Sequence, residues 1–347
     1  MRLEEKIRKL DSKGMEGWIR NLPNQLITGK EAVEKTSIPY EPSFIKAVMI
    51  SGLGGSAIAG DIMKGYLRDN FSLPIEVNRS YTLPSWVGED TLVFAVSYSG
   101  NTEETLSSYE IAKERGAKII AVTSNGKLKN FAENDGFPCI EIPEGYPPRA
   151  AFGFLFSSLL YTFKKLGWWN RENEIEETIS LLKKMGEELS PSSPENLALN
   201  LAQSIQDSIS LIYASQDYFY GVAMRWKTQL NENSKAPAFY AFFPELDHNE
   251  IMGWEGVKDK IFTVILLKDE EESLRMQARI NFTMEIIKEK TAKIIEVKSK
   301  GKSLLARIFS LIYIGDWVSF YLAILNEVDP TVIKSIDKLK QLMAGVR

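Results

Sequence analysis

The chain has 347 residues, a length typical of two domains, and its 44% apolar and 25% charged content excludes a disordered chain or a coiled-coil rod. Its formal net charge of −4 lacks the basic excess of nucleic-acid-binding proteins. Because Cys139 and His248 are its only cysteine and histidine, the chain forms neither an intrachain disulfide nor a histidine-cluster metal site, and it fits a reducing compartment.

The first half of the chain alternates short apolar runs with helical patterns. These runs predict strands at 47–51, 75–78, 92–96, 118–122 and 139–142. Helical patterns lie between them, as at 56–67 and 102–115. Because the runs are apolar on both faces, they predict a parallel sheet covered by helices on each side, which is a doubly wound α/β domain. The charged first 20 residues contain no apolar run of a signal peptide, so we expect a cytoplasmic protein.

The second half repeats this alternation more loosely. An apolar helix at 151–166 precedes a polar, Glu-rich stretch at 168–196, which contains a Pro-Ser-Ser-Pro break and is the best linker candidate. The other predicted elements are strands at 211–214, 238–243, 262–267 and 293–297 and an amphipathic helix at 271–290. The apolar stretch 308–325 is interrupted by Gly315 and Asp316, which favours a core helix over a membrane span.

The first candidate site is the glycine-rich loop Ser51-Gly-Leu-Gly-Gly-Ser-Ala57, which runs from a predicted strand directly into a helix. Backbone N–H groups at the positive helix end can bind an anion, and the Ser56 hydroxyl adds a donor. The loop also satisfies the dinucleotide fingerprint Gly-x-Gly-x-x-Ala, with Glu76 placed as the ribose acid. This loop alone is therefore compatible with three interpretations: a sugar-phosphate site, an NAD site, or a tight turn that binds no ligand.

A second loop follows the third predicted strand. In Ser97-Tyr-Ser99-Gly-Asn-Thr102, three hydroxyls surround one glycine at another helix start. Each hydroxyl alone could cap the turn, but hydroxyls and backbone N–H groups together can bind the terminal oxygens of a phosphate without a metal. Two such loops after neighbouring strands predict a phosphate site where the carboxyl ends of the strands meet. An NAD enzyme would not need the second loop.

The two loops, GLGGSAIAGD at 52–61 and SYSGNTEET at 97–105, resemble the paired phosphate-binding loops of the SIS (sugar isomerase) domain. The segments Tyr146-Pro-Pro-Arg149, Asn231-Glu-Asn-Ser-Lys235 and Glu245-Leu-Asp-His-Asn249 resemble the bifunctional phosphoglucose/phosphomannose isomerase branch of that superfamily. The match runs in order over nearly the whole chain. It implies two SIS-type doubly wound subdomains, each with a mainly parallel sheet flanked by helices.

This resemblance gives the expected domain organisation and partners. We expect an N-terminal SIS domain at 1–165, a helical linker at 166–195 and a C-terminal SIS domain at 196–347. The family works without a cofactor or a metal on hexose 6-phosphates, and it places the active site at the interface of a homodimer. No nucleic-acid or membrane partner is expected.

The later motifs carry the candidate catalytic residues. Arg149 lies at the start of a helix, where a cation interacts unfavourably with the helix dipole and does not stabilise the helix. We therefore expect Arg149 to face an anion. The alternative is a solvated arginine at the end of a loop. From spacing alone, Glu232 could be an ordinary polar helix end, and a lone histidine such as His248 is usually structural. The resemblance instead implies that Glu232 moves a proton between C1 and C2, and that His248 of the neighbouring subunit opens the sugar ring.

The resemblance also implies a catalytic lysine on the predicted helix at 331–343. It lies seven residues after a threonine, so Thr331 selects Lys338, with Lys340 as the alternative. Thr331 itself corresponds to the small hydroxyl residue near C2 of the hexose. The substrate-binding residues implied in full are Gly55, Ser56, Ser97, Ser99, Thr102 and Thr331.

The expected reaction is an aldose–ketose isomerisation that converts glucose 6-phosphate and mannose 6-phosphate to fructose 6-phosphate through ring opening and a cis-enediol. Arg149 would offset the negative charge that develops on oxygen. Two alternatives are a non-catalytic sugar-phosphate-binding SIS regulator and an NAD-dependent dehydrogenase. The regulator would have no use for Glu232, His248 and Lys338.

Overall fold

A computed structural model describes residues 2–343 and 345–346 of the chain. Its strands are β1 (Ala47–Ser51), β2 (Ile75–Asn78), β3 (Thr91–Val96), β4 (Lys118–Thr123), β5 (Cys139–Glu141), β6 (Ile209–Ser215), β7 (Ala238–Phe243), β8 (Phe262–Lys268) and β9 (Lys293–Lys298). Its helices are α1 (Leu3–Leu10), α2 (Met15–Arg20), α3 (Leu22–Lys35), α4 (Gly54–Leu67), α5 (Glu103–Glu114), α6 (Lys127–Asp135), α7 (Phe152–Lys165), α8 (Glu172–Glu188), α9 (Leu197–Ile205), α10 (Gln216–Ser234), α11 (Glu250–Gly253), α12 (Leu274–Ile287), α13 (Leu304–Leu325) and α14 (Lys334–Met343).

The strands form two parallel sheets, one in each half of the chain. The strand order is β2-β1-β3-β4-β5 in the first sheet and β7-β6-β8-β9 in the second. Every residue of β1 and β3 is buried, as expected for runs that are apolar on both faces of a covered sheet. The predicted α/β fold class is therefore confirmed.

The first sheet has its topological switch point between β1 and β3. These strands are parallel neighbours, with Ser51 opposite Ala95, and the chain continues outward from them to β2 on one side and β4 on the other. A crevice opens at the carboxyl ends of two such strands, and both loops singled out in the sequence begin there.

Helix α13 lies in the core shared by the two halves. Its side chains from Leu305 to Ile324 are buried on all faces, because the helix is apolar all round. It is long and apolar enough to cross a membrane, but 94% of its most apolar stretch is buried inside the protein. It is therefore a core helix, as the sequence predicted.

Helix α8 occupies most of the segment 166–195. One face of this helix, which includes Ile175, Leu182 and Met185, is buried in the same core. The outer face carries the glutamates and lysines that made the segment polar in sequence.

Helix α10 connects β6 to β7 of the second sheet and packs against helix α4 of the first half. It begins at the carboxyl end of β6 and runs back to the amino end of the second sheet, packing on α4 and α13 along its length. Gly221 permits the approach to α4, because a Cβ there would lie 3.0 Å from the backbone nitrogen of Ile62. The last turn of α10 thereby lies near the carboxyl edge of the first sheet.

Candidate active site

The two predicted loops lie side by side at the switch point. A Cβ on Gly52 would come within 2.7 Å of the carbonyl oxygen of Val96, the last residue of β3, so the first loop passes directly over the start of the second. Gly100 has φ +66°, and a side chain there would clash with the backbone of Asn125. Both loops therefore depend on glycines for their close approach.

Hydroxyl groups gather around these glycines. Ser97 and Thr102 lie at opposite ends of the second loop, and their hydroxyl oxygens are 2.8 Å apart. Thr102 is the N-cap residue of α5, yet its side chain makes no capping hydrogen bond. Ser56 is buried in the first turn of α4, whereas Ser99 is exposed at the tip of the loop. The two loops thus bring two helix N-termini and four hydroxyls to the same edge of the first sheet, a donor set that suits a phosphate.

Arg149 connects this crevice to the second half. It lies in a 3₁₀ turn before α7, and a Cβ on Gly55 would sit 3.2 Å from its Cα atom. Its side chain is only 4% exposed, so the alternative of a solvated arginine is wrong. Burial lowers the pKa of Arg149 from its ordinary value, but an arginine remains a cation at neutral pH.

The Arg149 guanidinium is held by groups from two other segments. Its Nε donates to Oδ1 of Asn233 at 2.6 Å, and its Nη2 donates to the carbonyl oxygens of Pro330 and Thr331 at 2.6 and 3.2 Å. Its Nη1 lies 3.4 Å from Oε2 of Glu232. The cation is fixed in place, with one edge turned toward a carboxylate.

Glu232 is in the last turn of α10 and keeps 27% of its side chain exposed. Apart from the long contact with Arg149, its carboxylate makes no hydrogen bond within the part of the chain that the structure describes. A partly exposed carboxylate beside a buried cation is available to accept a proton from a bound molecule.

A buried network supports Arg149 from behind. Arg225 forms a two-point ion pair with Asp316, donates to the carbonyl oxygen of Arg149 at 3.1 Å and stacks over the ring of Phe152. Asn233, which receives the Arg149 Nε, donates in turn to Ser319 of α13 at 2.9 Å. These residues keep the guanidinium oriented without contact with solvent.

His248 does not meet Glu232 within one chain. Glu232 precedes β7 and His248 follows it, in an exposed 3₁₀ turn. Six strand residues at about 3.3 Å each separate the two by ~20 Å. The structure therefore places the two predicted catalytic residues at opposite ends of the second sheet.

Thr331 lies at the site, whereas the candidate lysines do not. The carbonyl oxygen of Thr331 accepts from Arg149, and its hydroxyl is buried with no hydrogen-bond partner among the described residues. Lys338 and Lys340 are exposed on α14, and neither side chain makes an ion pair or hydrogen bond within residues 2–343 and 345–346.

Among the described residues, the structure gives the surroundings of the proposed ribose acid and of any metal-ligand cluster. Glu76, the proposed ribose acid, lies in the middle of β2 and forms an ion pair with Lys64 at 2.8 Å. In the described part of the chain, no three histidine, cysteine, aspartate or glutamate residues form a group that could hold a metal ion.

Comparison with known proteins identifies the family. Residues 45–146 match the SIS domain, and residues 194–343 match the bacterial phospho-glucose isomerase C-terminal SIS domain. The bifunctional phosphoglucose/phosphomannose isomerase of Caldicellulosiruptor bescii is 45% identical over 334 residues, which cover 95% of this chain and 98% of that protein. This chain belongs to the bifunctional phosphoglucose/phosphomannose isomerase family.

Two further comparisons extend this result. The bifunctional phosphoglucose/phosphomannose isomerase of Aquifex aeolicus is 38% identical, with 90% of this chain and 93% of that protein covered. The crystal structure of a hypothetical protein from Thermus thermophilus shares the fold, with a TM-score of 0.78 at 17% identity over 99% of this chain and 94% of that one. The match to the isomerase family thus spans both sheets and both phosphate-loop candidates.

Several residues of this candidate site carry no role in the sequence analysis. Arg225 and Asp316 are charged residues in otherwise buried helices, which is a recognisable signal because a buried charge is rarely left unpaired. In the sequence, Asp316 is marked only by its interruption of an apolar stretch. Asn233 and Lys235 were quoted within a motif, but no local pattern indicates their contacts with Arg149 and with the loop before α14.

Proposed function

We propose that this chain is an aldose–ketose isomerase that interconverts glucose 6-phosphate and mannose 6-phosphate with fructose 6-phosphate. The observation that carries the proposal is the Arg149–Glu232 pair, which lies against Gly55 of a loop suited to phosphate. The 45% and 38% identical relatives are named for isomerisation of the same two phosphohexoses.

The phosphate group provides the anchor in this proposal. Backbone N–H groups at the starts of α4 and α5, with the hydroxyls of Ser56, Ser97, Ser99 and Thr102, would bind its oxygens. The phosphate is remote from the reacting carbons, so its binding energy can be used to hold C1 and C2 against the base.

Glu232 is the proposed proton carrier. It would take the proton from C2 of the open-chain aldose to form a cis-enediol and return it to C1, while a proton moves from O2 to O1. Arg149 lies beside the carboxylate and would offset the charge that develops on oxygen. Since C2 is planar in the enediol, one base can serve both epimers, provided that the pocket near Thr331 accepts either configuration.

Ring opening requires a second copy of the chain in this proposal. His248 is ~20 Å of strand away from Glu232 in its own chain, so a homodimer that brings the partner's imidazole to Glu232 is the simplest way to join them. Lys338 would assist His248 and reach the site by the same association. In this arrangement 1–165 binds the phosphate, 196–347 carries the catalytic residues and 166–195 links them, in a cytoplasmic enzyme.

A coupled assay tests this function. Purified protein supplied with fructose 6-phosphate should produce both glucose 6-phosphate and mannose 6-phosphate, at the same rate with and without a metal chelator. Binding of fructose 6-phosphate without either product would favour the regulator instead. A rise in melting temperature with NAD but not with fructose 6-phosphate would favour the dehydrogenase.

A further inference from the structure

Lys235 is a charged residue of this site that the reaction above does not use. It follows the last turn of α10, three residues after Glu232, with a backbone φ of +54°. Residues with a side chain seldom adopt this left-handed conformation, and glycine is the usual choice after a helix end. The side chain, rather than the backbone, must therefore account for a lysine here.

The Lys235 ammonium has all three of its donors occupied. Its Nζ donates to the carbonyl oxygens of Glu232 at 2.9 Å, Asn233 at 3.1 Å and Asp329 at 2.6 Å. An ammonium has three N–H bonds, so none remains for a substrate. Two of the acceptors belong to the end of α10, and the third belongs to the loop that leads through Thr331 to α14.

Arg149 joins the same two segments from the other side. It donates to Asn233 of α10 and to the carbonyl oxygens of Pro330 and Thr331. Two cations therefore fix the helix end that carries Glu232 against the loop that carries Thr331. Asp329 completes the connection, because its carboxylate accepts the backbone N–H of Thr331 at 2.7 Å.

We propose that Lys235 is a positioning residue of the isomerase, whose ammonium holds the Glu232 end of α10 at a fixed place relative to loop 329–331. The inference rests on the proposed function, since it concerns the base and the C2 pocket of that reaction. Without this connection the carboxylate would move relative to C1 and C2, and misplacement by about 1 Å can reduce a rate by ~10²-fold.

The connection should weaken in mildly alkaline solution. Burial, and then the positive charge of Arg149, lower the pKa of Lys235 to about 8, while Asp329 and Glu232 oppose this effect. Below that pH the ammonium holds all three carbonyls. As pH rises through the pKa, the neutral amine has two donors for three acceptors and no charge, so kcat should fall.

Two substitutions separate positioning from folding. Lys235→Gly removes the ammonium but suits the left-handed backbone, so the protein should fold; its kcat should be about 10- to 100-fold lower, with KM little changed because the phosphate loops lie elsewhere. Lys235→Arg keeps a positive charge far above pH 8, so it should restore kcat and remove the alkaline fall of kcat near that pH.

Lys165 supplies the matched control. Its ammonium also donates to three carbonyl oxygens, those of Val33, Glu34 and Thr36, but these lie at the end of α3, away from the site. Lys165→Met should leave kcat and its pH profile unchanged.

The outcomes are distinct. Wild-type kcat in Lys235→Gly, an unchanged alkaline midpoint in Lys235→Arg, or an equal loss of kcat in Lys165→Met would each overturn the role of Lys235. A wild-type protein without isomerase activity would instead refute the proposed function, before any variant is made.

Discussion

The two sheets of this protein share one topology but differ in the loops at their carboxyl ends. In the first half β1, α4 and β2 follow one another, as β6, α10 and β7 do in the second, and the order β2-β1-β3-β4 corresponds to β7-β6-β8-β9, while β5 has no counterpart in the second sheet. The loop after β3 offers the hydroxyls of Ser97 to Thr102. The corresponding loop after β8 carries four consecutive carboxylates, Asp269 to Glu272.

These loops cannot perform the same task. Four carboxylates repel a phosphate. Arg307 of α13 forms ion pairs with Asp269 and Glu271, and these pairs attach the loop to α13. The proposed catalytic carboxylate of the second half, Glu232, lies at the opposite edge of its sheet. In the proposed function, a repeated fold thus gives one phosphate site and a separate chemical group, so function depends on loops and helix ends rather than on the fold.

The N-cap residues of α5 and α12 show a similar difference in the use of one hydroxyl group. Ser273 is the N-cap of α12, and its hydroxyl accepts the backbone N–H of Met276 at 3.2 Å. Thr102 has the corresponding position on α5, but its hydroxyl bonds to Ser97 instead of capping the helix. The Ser273 hydroxyl stabilises its own helix, and the Thr102 hydroxyl bonds across its loop to Ser97.

The largest expected effect is on the chemistry of the second half. Glu232→Gln should reduce kcat by about 10²- to 10⁴-fold, because a positioned base contributes that much to the rate. Fructose 6-phosphate should still raise the melting temperature of the variant, since the phosphate loops are intact. The matched control is Glu296→Gln on β9, an exposed glutamate that pairs only with Lys268 among the described residues. Wild-type turnover in Glu232→Gln would contradict the assignment.

The second prediction tests whether Glu232 and His248 of one chain belong to two different active sites of the proposed dimer. Glu232→Gln and His248→Ala proteins, each inactive alone, should recover about a quarter of wild-type activity after subunit exchange at equal amounts. Half of the dimers would then be mixed, and each mixed dimer would have one intact site of two. If the mixture stays inactive while native gels show mixed dimers, Glu232 and His248 do not form a site across the subunit interface.

The smallest effects compare the two caps directly. Thr102→Val should raise KM by about 10-fold, the effect of losing a hydrogen bond to a charged group, with little change in stability. Ser273→Ala should leave KM unchanged and lower the free energy of unfolding by about 1 kcal/mol. Steady-state kinetics and urea unfolding of both variants measure the contrast. A shift of KM in Ser273→Ala would show that the acidic loop also contacts substrate.

Local sequence patterns were sufficient for most of the first sheet. Strands such as 118–122 are apolar on both faces and are ended by polar residues, so their period and boundaries both indicate a covered parallel strand. Helices α1 to α3 were not predicted; α1 and α2 have only 8 and 6 residues, which is too short for a helical period to be distinct. The glycine loops were found because a strand, glycines and a helix start occur together within ten residues.

The assembled site depends on contacts that no local pattern reveals. Arg149 and Glu232 are 83 residues apart, and they meet only because α10 packs on α4. Loop 329–331 adds acceptors from still farther along the chain, through backbone carbonyls that carry no sequence signal. The separation of Glu232 from His248, by contrast, is implied by the sequence, because the predicted strand 238–243 lies between them and coincides with β7.

The absent cap at Thr102 has a consequence for how this protein can change. Because the Thr102 hydroxyl does not cap α5, its replacement does not uncap the helix, so substitutions at Thr102 can adapt the loop to other anionic groups. Ser273 has no such freedom, since each replacement weakens a helix. In a protein with a repeated fold, new binding specificities should therefore arise first at N-cap residues whose hydroxyls do not cap their own helix.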